Sequence, residues 1–155
     1  MVADTKYYLG GSSVYKNLKG EDYYNFERGT TVYSGRSTSW TGKIALMYPS
    51  DYSYTYALGV DNKCYNDGYN CRTNKGGTPT NGWIYNTNSN SPQKLLSPSS
   101  AGSNLALLLL ESGNVSDGYD TVTLSYGIRP SLYLVSNIKI DSGDGSEQSP
   151  YQLGL

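Results

Sequence analysis

The chain has 155 residues, a net charge of −1 with both signs scattered, and no histidine. That length suffices for one domain with its own core, and the even charge excludes a nucleic-acid stripe or a polybasic membrane patch. Without histidine there is neither a Ser-His-Asp triad nor a Cys-His pair, so no enzyme chemistry and no cofactor are expected.

Its 17 Tyr and 18 Gly, against a single Phe, suit a binding face. Tyrosine gives rigid contact area while Gly, Ser and Asn adapt around it. A turn-rich β-protein of the cell surface has much the same composition. The longest apolar run falls far short of the roughly 18 residues of a membrane helix, so no membrane insertion by this segment is expected. The expected setting is the cell surface or secretion, with an export or anchoring segment upstream.

Residues 4–18 read as a strand, a Gly-Gly break and a second short strand. Residues 21–28 (EDYYNFER) place acids early and Arg28 late, which suits a short helix with Gly29 as its stop. Residues 30–33 are β-branched and read as a strand, and 34–41 as a Gly/Ser/Thr loop with Trp40 as a core anchor. Residues 44–48 (IALMY) are a buried strand by their length. Ser50 then offers an N-cap for a short helix through Tyr52, Tyr54 and Tyr56, which also fit a strand's alternation.

Residues 59–82 form a polar excursion of a length that is uncommon unless functional or stapled. It holds Cys64 and Cys71. The pair either closes a small disulfide loop, implying an oxidising compartment, or stays as two thiols; two cysteines without histidine cannot fill a zinc site. Trp83-Ile84-Tyr85 and Leu95-Leu96 are short apolar islands.

Residues 95–135 are the stretch around which the rest is organised. The apolar run 105–110 reads as a buried strand, followed by turns at 111–114 and 116–118. Residues 121–126 alternate as a half-buried strand, and 131–135 form another behind Pro130, giving a β-meander. Arg129, charged in this apolar setting, pairs internally with a carboxylate or meets an anionic ligand. The tail 138–155 is a C-terminal extension of strand, Gly-rich turn and strand. Residues 141–147 (DSGDGSE) alternate oxygen ligands but lack the bidentate Glu of a calcium loop, so a turn without metal is expected.

Several segments, in order, resemble a bacterial family. Residues 27–52 (ERGTTVYSGRSTSWTGKIALMYPSDY), Trp83, LLSP at 95–98, SGNV at 112–115, YGIRPSLYL at 126–134 and the tail at 138–153 look like the surface domains of a DUF6273-type family. There a W-[ST]-LSP motif precedes a G-V-R-P motif, often behind a type IV prepilin-like helix. This chain lacks the aromatic residue usual before LSP. Residues 46–57 (LMYPSDYSYTYA) are similar to the R-L-P-T-E-A-E-W-E-Y-A helix of formylglycine-generating-enzyme domains, and Gly127-Ile128-Arg129 stands where those end in G-F-R. Cys64 and Cys71 lie far upstream of that motif, so the enzyme's activity is not carried over.

The resemblance implies one α+β domain of C-type-lectin-like fold over 1–155, with short antiparallel sheets, one or two short helices and long loops. It places Leu107 and Leu109 inward, and makes the positions of Leu108 and Leu110 commonly polar. Leucines facing outward would make an apolar patch of the kind that marks a partner site, unless a loop such as 59–82 roofs it. The expected ligand face is Leu105, Leu108, Leu110, Asn114, Asp117, Tyr119, Asp120, Thr121 and Thr123. Variable proteins of diversity-generating retroelements concentrate variation just before a similar terminal motif. The expected function is a non-enzymatic ligand-binding or adhesion module on a bacterial or phage surface, its partner a protein or glycan of another cell or host. The alternative is a pilin-like or surface-assembly subunit.

Overall fold

A computed structural model describes residues 2–13, 18–57, 91–110, 115–116 and 124–155. Its content is mixed α and β. The order is β1 (Thr5–Tyr8), α1 (Gly20–Glu27), β2 (Ser39–Gly42), β3 (Ile44–Leu46), α2 (Pro49–Ala57), β4 (Gln93–Pro98), β5 (Ala106–Leu109), β6 (Val115–Ser116), β7 (Gly127–Ile128), β8 (Pro130–Leu132), β9 (Lys139–Ser142) and β10 (Gln152–Gly154). Among the described residues one sheet has four strands, β6-β5-β4-β7, and three are pairs: β1-β2, β3-β8 and β9-β10.

Helix α1 forms where the acid-to-base gradient of residues 21–28 predicts it. Asp22 reaches back to accept the Lys19 N–H at 2.8 Å, and the Gly29 N–H closes the far end on Phe26 O at 3.0 Å. Its buried positions, Gly20, Tyr23 and Glu27, follow at spacings of three and four on a single stripe. Helix α2 starts on Pro49, whose missing N–H costs nothing in a first turn. The cap differs from expectation. Asp51 accepts the Tyr48 N–H at 3.2 Å, so Tyr48 holds the N-cap position, and Ser50 turns instead to Glu27.

Strand β4 divides the interior. Leu95 joins Tyr23, Met47, Tyr52, Leu107, Leu109 and Val115 in one core, while Leu96 packs on a second core of Tyr7, Ala45 and Tyr48. Adjacent residues of a strand point to opposite faces, so the Leu-Leu pair serves both. What reads in sequence as a short island is thus the central strand.

Several expectations are corrected. Residues 30–33 form no strand, and 39–41, expected in a loop, join Gly42 in β2 against β1 with Tyr7 opposite Trp40. The meander is broken. After β6 takes the far edge of β5, the chain returns to the other side of β4, where β7 runs parallel to it. Strand β8 then leaves that sheet and pairs with β3, Leu46 facing Pro130. Residues 124–126 belong to no strand. The run 105–110 gives a four-residue strand in which Leu107, Leu108 and Leu109 are all buried.

Strands β9 and β10 form a hairpin on glycines that the turn requires. Gly143 and Gly145 have φ of 90° and 84°, and Asp144 accepts the Ser146 N–H at 2.9 Å, which uses its carboxylate as a turn brace. All four residues of β9 are exposed. Among the described residues no helix is long and apolar enough to cross a membrane.

Candidate functional site

Strands from three sheets converge on one open cleft. The β3–β8 pair brings Ile44, Ala45, Leu46 and Pro130; the β4–β7 pair adds Leu96 and Ile128; β2 supplies Trp40. Together they enclose about 310 Å³, with walls made almost wholly of carbon. Trp40 is 45% exposed, Ile44 54% and Ile128 63%. Trp40 is therefore not the buried anchor expected from sequence.

The indole has a fixed seat. Its ring stacks on Tyr7 at 5.5 Å and 24°, and Tyr7 in turn is buried, with its hydroxyl donating to Lys43 O at 3.3 Å. On the same strand a Cβ at Gly42 would fall 2.3 Å from the indole, so only glycine leaves room for that ring. Tyr133 tilts against Tyr7 from another side at 5.9 Å. Rigid aromatic surface that is exposed yet braced loses little freedom on binding. Arg129, between Ile128 and Pro130, donates through Nε to Gln93 Oε1 at 3.2 Å. It pairs with an amide rather than the expected carboxylate, because β7 lies beside Gln93 of β4.

The walls decide what such a cleft holds. With almost no polar atoms lining it, a hydroxyl-rich group would be desolvated without compensation. An apolar side chain would be favoured by burial alone, by about 1.5–3 kcal/mol for a leucine- or phenylalanine-sized group.

A second cluster lies at the junction of the helices. Glu27 is fully buried; its Oε1 accepts the Ser50 N–H at 2.8 Å and its Oε2 meets Ser50 Oγ at 2.5 Å. Arg28 Nη1 stands 3.2 Å from the same carboxyl, and its guanidinium lies 3.6 Å over the Tyr24 ring. Burial pushes the carboxyl up to about 7, against the opposing pull of the Ser50 hydrogen bonds and the Arg28 charge. Tyr48 is pushed up to about 12, chiefly by burial; its hydroxyl accepts the Tyr8 N–H at 2.7 Å and donates to Tyr8 O at 2.9 Å. Sequence reasoning missed this cluster. Its one signal was an acid four residues after Tyr23, on the apolar stripe of α1.

The expected ligand face divides. Leu105 and Leu110 are half-buried, but Leu108 is only 3% exposed and leaves the proposed surface. Leu107, Leu108 and Leu109 are buried in succession, so both faces of β5 are covered, and a strand covered on both faces reads as a continuous apolar run. Asn114, Asp117, Tyr119, Asp120, Thr121 and Thr123, with Cys64 and Cys71, lie outside the described residues. No family model, curated protein or solved structure matches the chain.

Proposed function

We propose that this chain is a non-enzymatic binding or adhesion module displayed on a bacterial or phage surface, on a C-type-lectin-like framework. The partner is a protein that places an apolar side chain in the Trp40 cleft. The observation that carries this reading is the braced, exposed Trp40 at the mouth of a carbon-lined cleft with Ile44 and Ile128. Contiguous exposed apolar surface is a cost in solution that a partner removes. Aromatic anchors at such places dominate interface energies.

The test is retention of the labelled protein on candidate bacterial or host cells, with and without protease treatment of those cells. Trp40→Ala and Ile128→Asp should each reduce protease-sensitive retention at least tenfold while leaving the fold's melting temperature within a few degrees. Retention that survives protease but falls on deglycosylation would point to a glycan and overturn the protein reading.

A structural role is favoured by a different observation: β9 is exposed throughout, and Ile140, Tyr151 and Leu153 are exposed on the hairpin. An isolated two-stranded hairpin is marginal in water, which suits assembly against a second copy. Sedimentation separates the two. A surface-assembly subunit self-associates at micromolar concentration and loses this with Ile140→Asp, while the binding module stays monomeric.

A further inference from the structure

We propose that the Glu27–Ser50 contact is a proton-operated latch between α1 and α2, closed by the neutral acid and weakened when Glu27 ionises. The geometry accommodates the neutral form without loss. A protonated Oε2 donates its hydrogen to Ser50 Oγ across 2.5 Å, a normal length for a strong O–H···O bond, while Oε1 still accepts the Ser50 N–H at 2.8 Å. Both ends of the carboxyl are then satisfied.

The ionised form is less well served. On ionisation the proton leaves to solvent and the Ser50 hydroxyl turns to donate back. Among the described residues the buried charge then has one counter-ion, Arg28, whose side chain is 29% exposed and is already stacked over Tyr24. Arg28 Nη1 donates to Oε2 at 3.2 Å with the guanidinium over Tyr24 and 5.5 Å from the Tyr48 ring, so one partly solvated cation is divided between the carboxylate and two rings. Other titratable groups face Glu27 from α2 and the residues before it. Asp51, itself raised by burial, adds like charge, and Tyr48 is held neutral by its own burial. The helix termini oppose each other: the amino end of α2 favours an anion, whereas Glu27 is the last residue of α1, where an anion is disfavoured. Burying a carboxylate against a single, half-solvated partner leaves its desolvation incompletely offset.

The latch is also connected. The Gly10 N–H donates to Glu27 O at 2.9 Å, and Tyr48, next to α2, holds both backbone groups of Tyr8. Loosening the junction therefore reaches β1 as well as the two helices. The chain has no histidine, so few groups other than Glu27 change charge between pH 5.5 and 8.

The experiment is a carbon-13 titration of the glutamate carboxyl carbons in the whole chain, with Glu21, Glu111 and Glu147 as internal references, alongside melting temperatures across pH 5–8. One carboxyl, assigned by its loss in Glu27→Gln, should titrate near neutrality. The wild-type melting temperature should fall by roughly 6–12 °C across that interval, and the fall should vanish in Glu27→Gln. If every glutamate titrates in the ordinary carboxylate range, or the fall persists in the variant, the latch is refuted. Should Glu27→Gln fail to fold, the wild-type titration decides alone, because a near-neutral carboxyl is required and its absence is fatal.

Discussion

Replacing Leu108 by alanine tests whether β5 is buried on both faces. In the fold Leu108 pairs with Lys94 of β4 and Ser116 of β6 and is 3% exposed, as deeply placed as Leu107 and Leu109 on either side. Alanine removes a buried isobutyl group and leaves a cavity, which together cost about 2–5 kcal/mol. For a chain of this size that corresponds to a fall in melting temperature of roughly 4–20 °C. Urea melts of Leu108→Ala, with Leu109→Ala as the reference, read the difference at constant slope. The structure predicts comparable losses for both. A loss under about half a kcal/mol for Leu108, with the full loss for Leu109, would restore the outward leucine face expected from strand alternation and refute a doubly covered β5.

Gly42→Ala should displace the Trp40 ring, because the new Cβ would stand 2.3 Å from it. In a Trp83→Phe background, tryptophan emission should shift to longer wavelength and cleft binding should weaken, with the urea midpoint moving little. The raised Glu27 carboxyl gives stability a definite sign with pH: the folded chain holds a proton that the unfolded chain releases between about 4.5 and about 7. Stability from this group is therefore complete below 4.5 and lost as pH rises through 7, by about 3 kcal/mol; denaturant melts at pH 5 and pH 8 check it. Cys64 and Cys71 are proposed to be bonded, contributing about 2–3 kcal/mol. Mass after alkylation without reductant should show neither thiol modified in protein from an oxidising compartment.

Helix α1 was legible because its signals are local, whereas the tyrosines of α2 fitted a helix and a strand's alternation alike. The acid-to-base gradient of residues 21–28 and the Pro-Ser-Asp start of α2 act within one turn, and α1 and α2 form there. The hairpin β9–β10 was legible for the same reason, its Gly-Asp-Gly turn setting the backbone directly. Pairing was not legible. Whether residues 127–128 run beside β4 or continue a meander depends on which sheet edge is free, and that is settled by β6, two residues long and without any periodic signature.

The same limit governed the site. Trp40 in a Ser/Thr/Gly stretch carries no mark of exposure, and only the register that sets it opposite Tyr7, together with the bare Gly42 on its own strand, reveals a platform. The leucine run misled for a physical reason: alternation assigns one face to solvent only when the strand is covered on one side. Glu27 was hidden because exposed acids are usual in helices, and its burial follows from α2 docking Ser50 against it.

Chemical-shift mapping of a bound peptide tests whether binding occurs at the Trp40 cleft. A peptide selected from a random displayed library against the intact chain would be titrated into the isotopically labelled protein. The peptide should carry an apolar anchor, the largest shifts should fall on Trp40, Ile44, Leu96 and Ile128, and Trp40→Ala should weaken binding at least tenfold. Shifts confined to Leu105, Leu110 and residues 111–123, with affinity unchanged in Trp40→Ala, would contradict binding at the cleft.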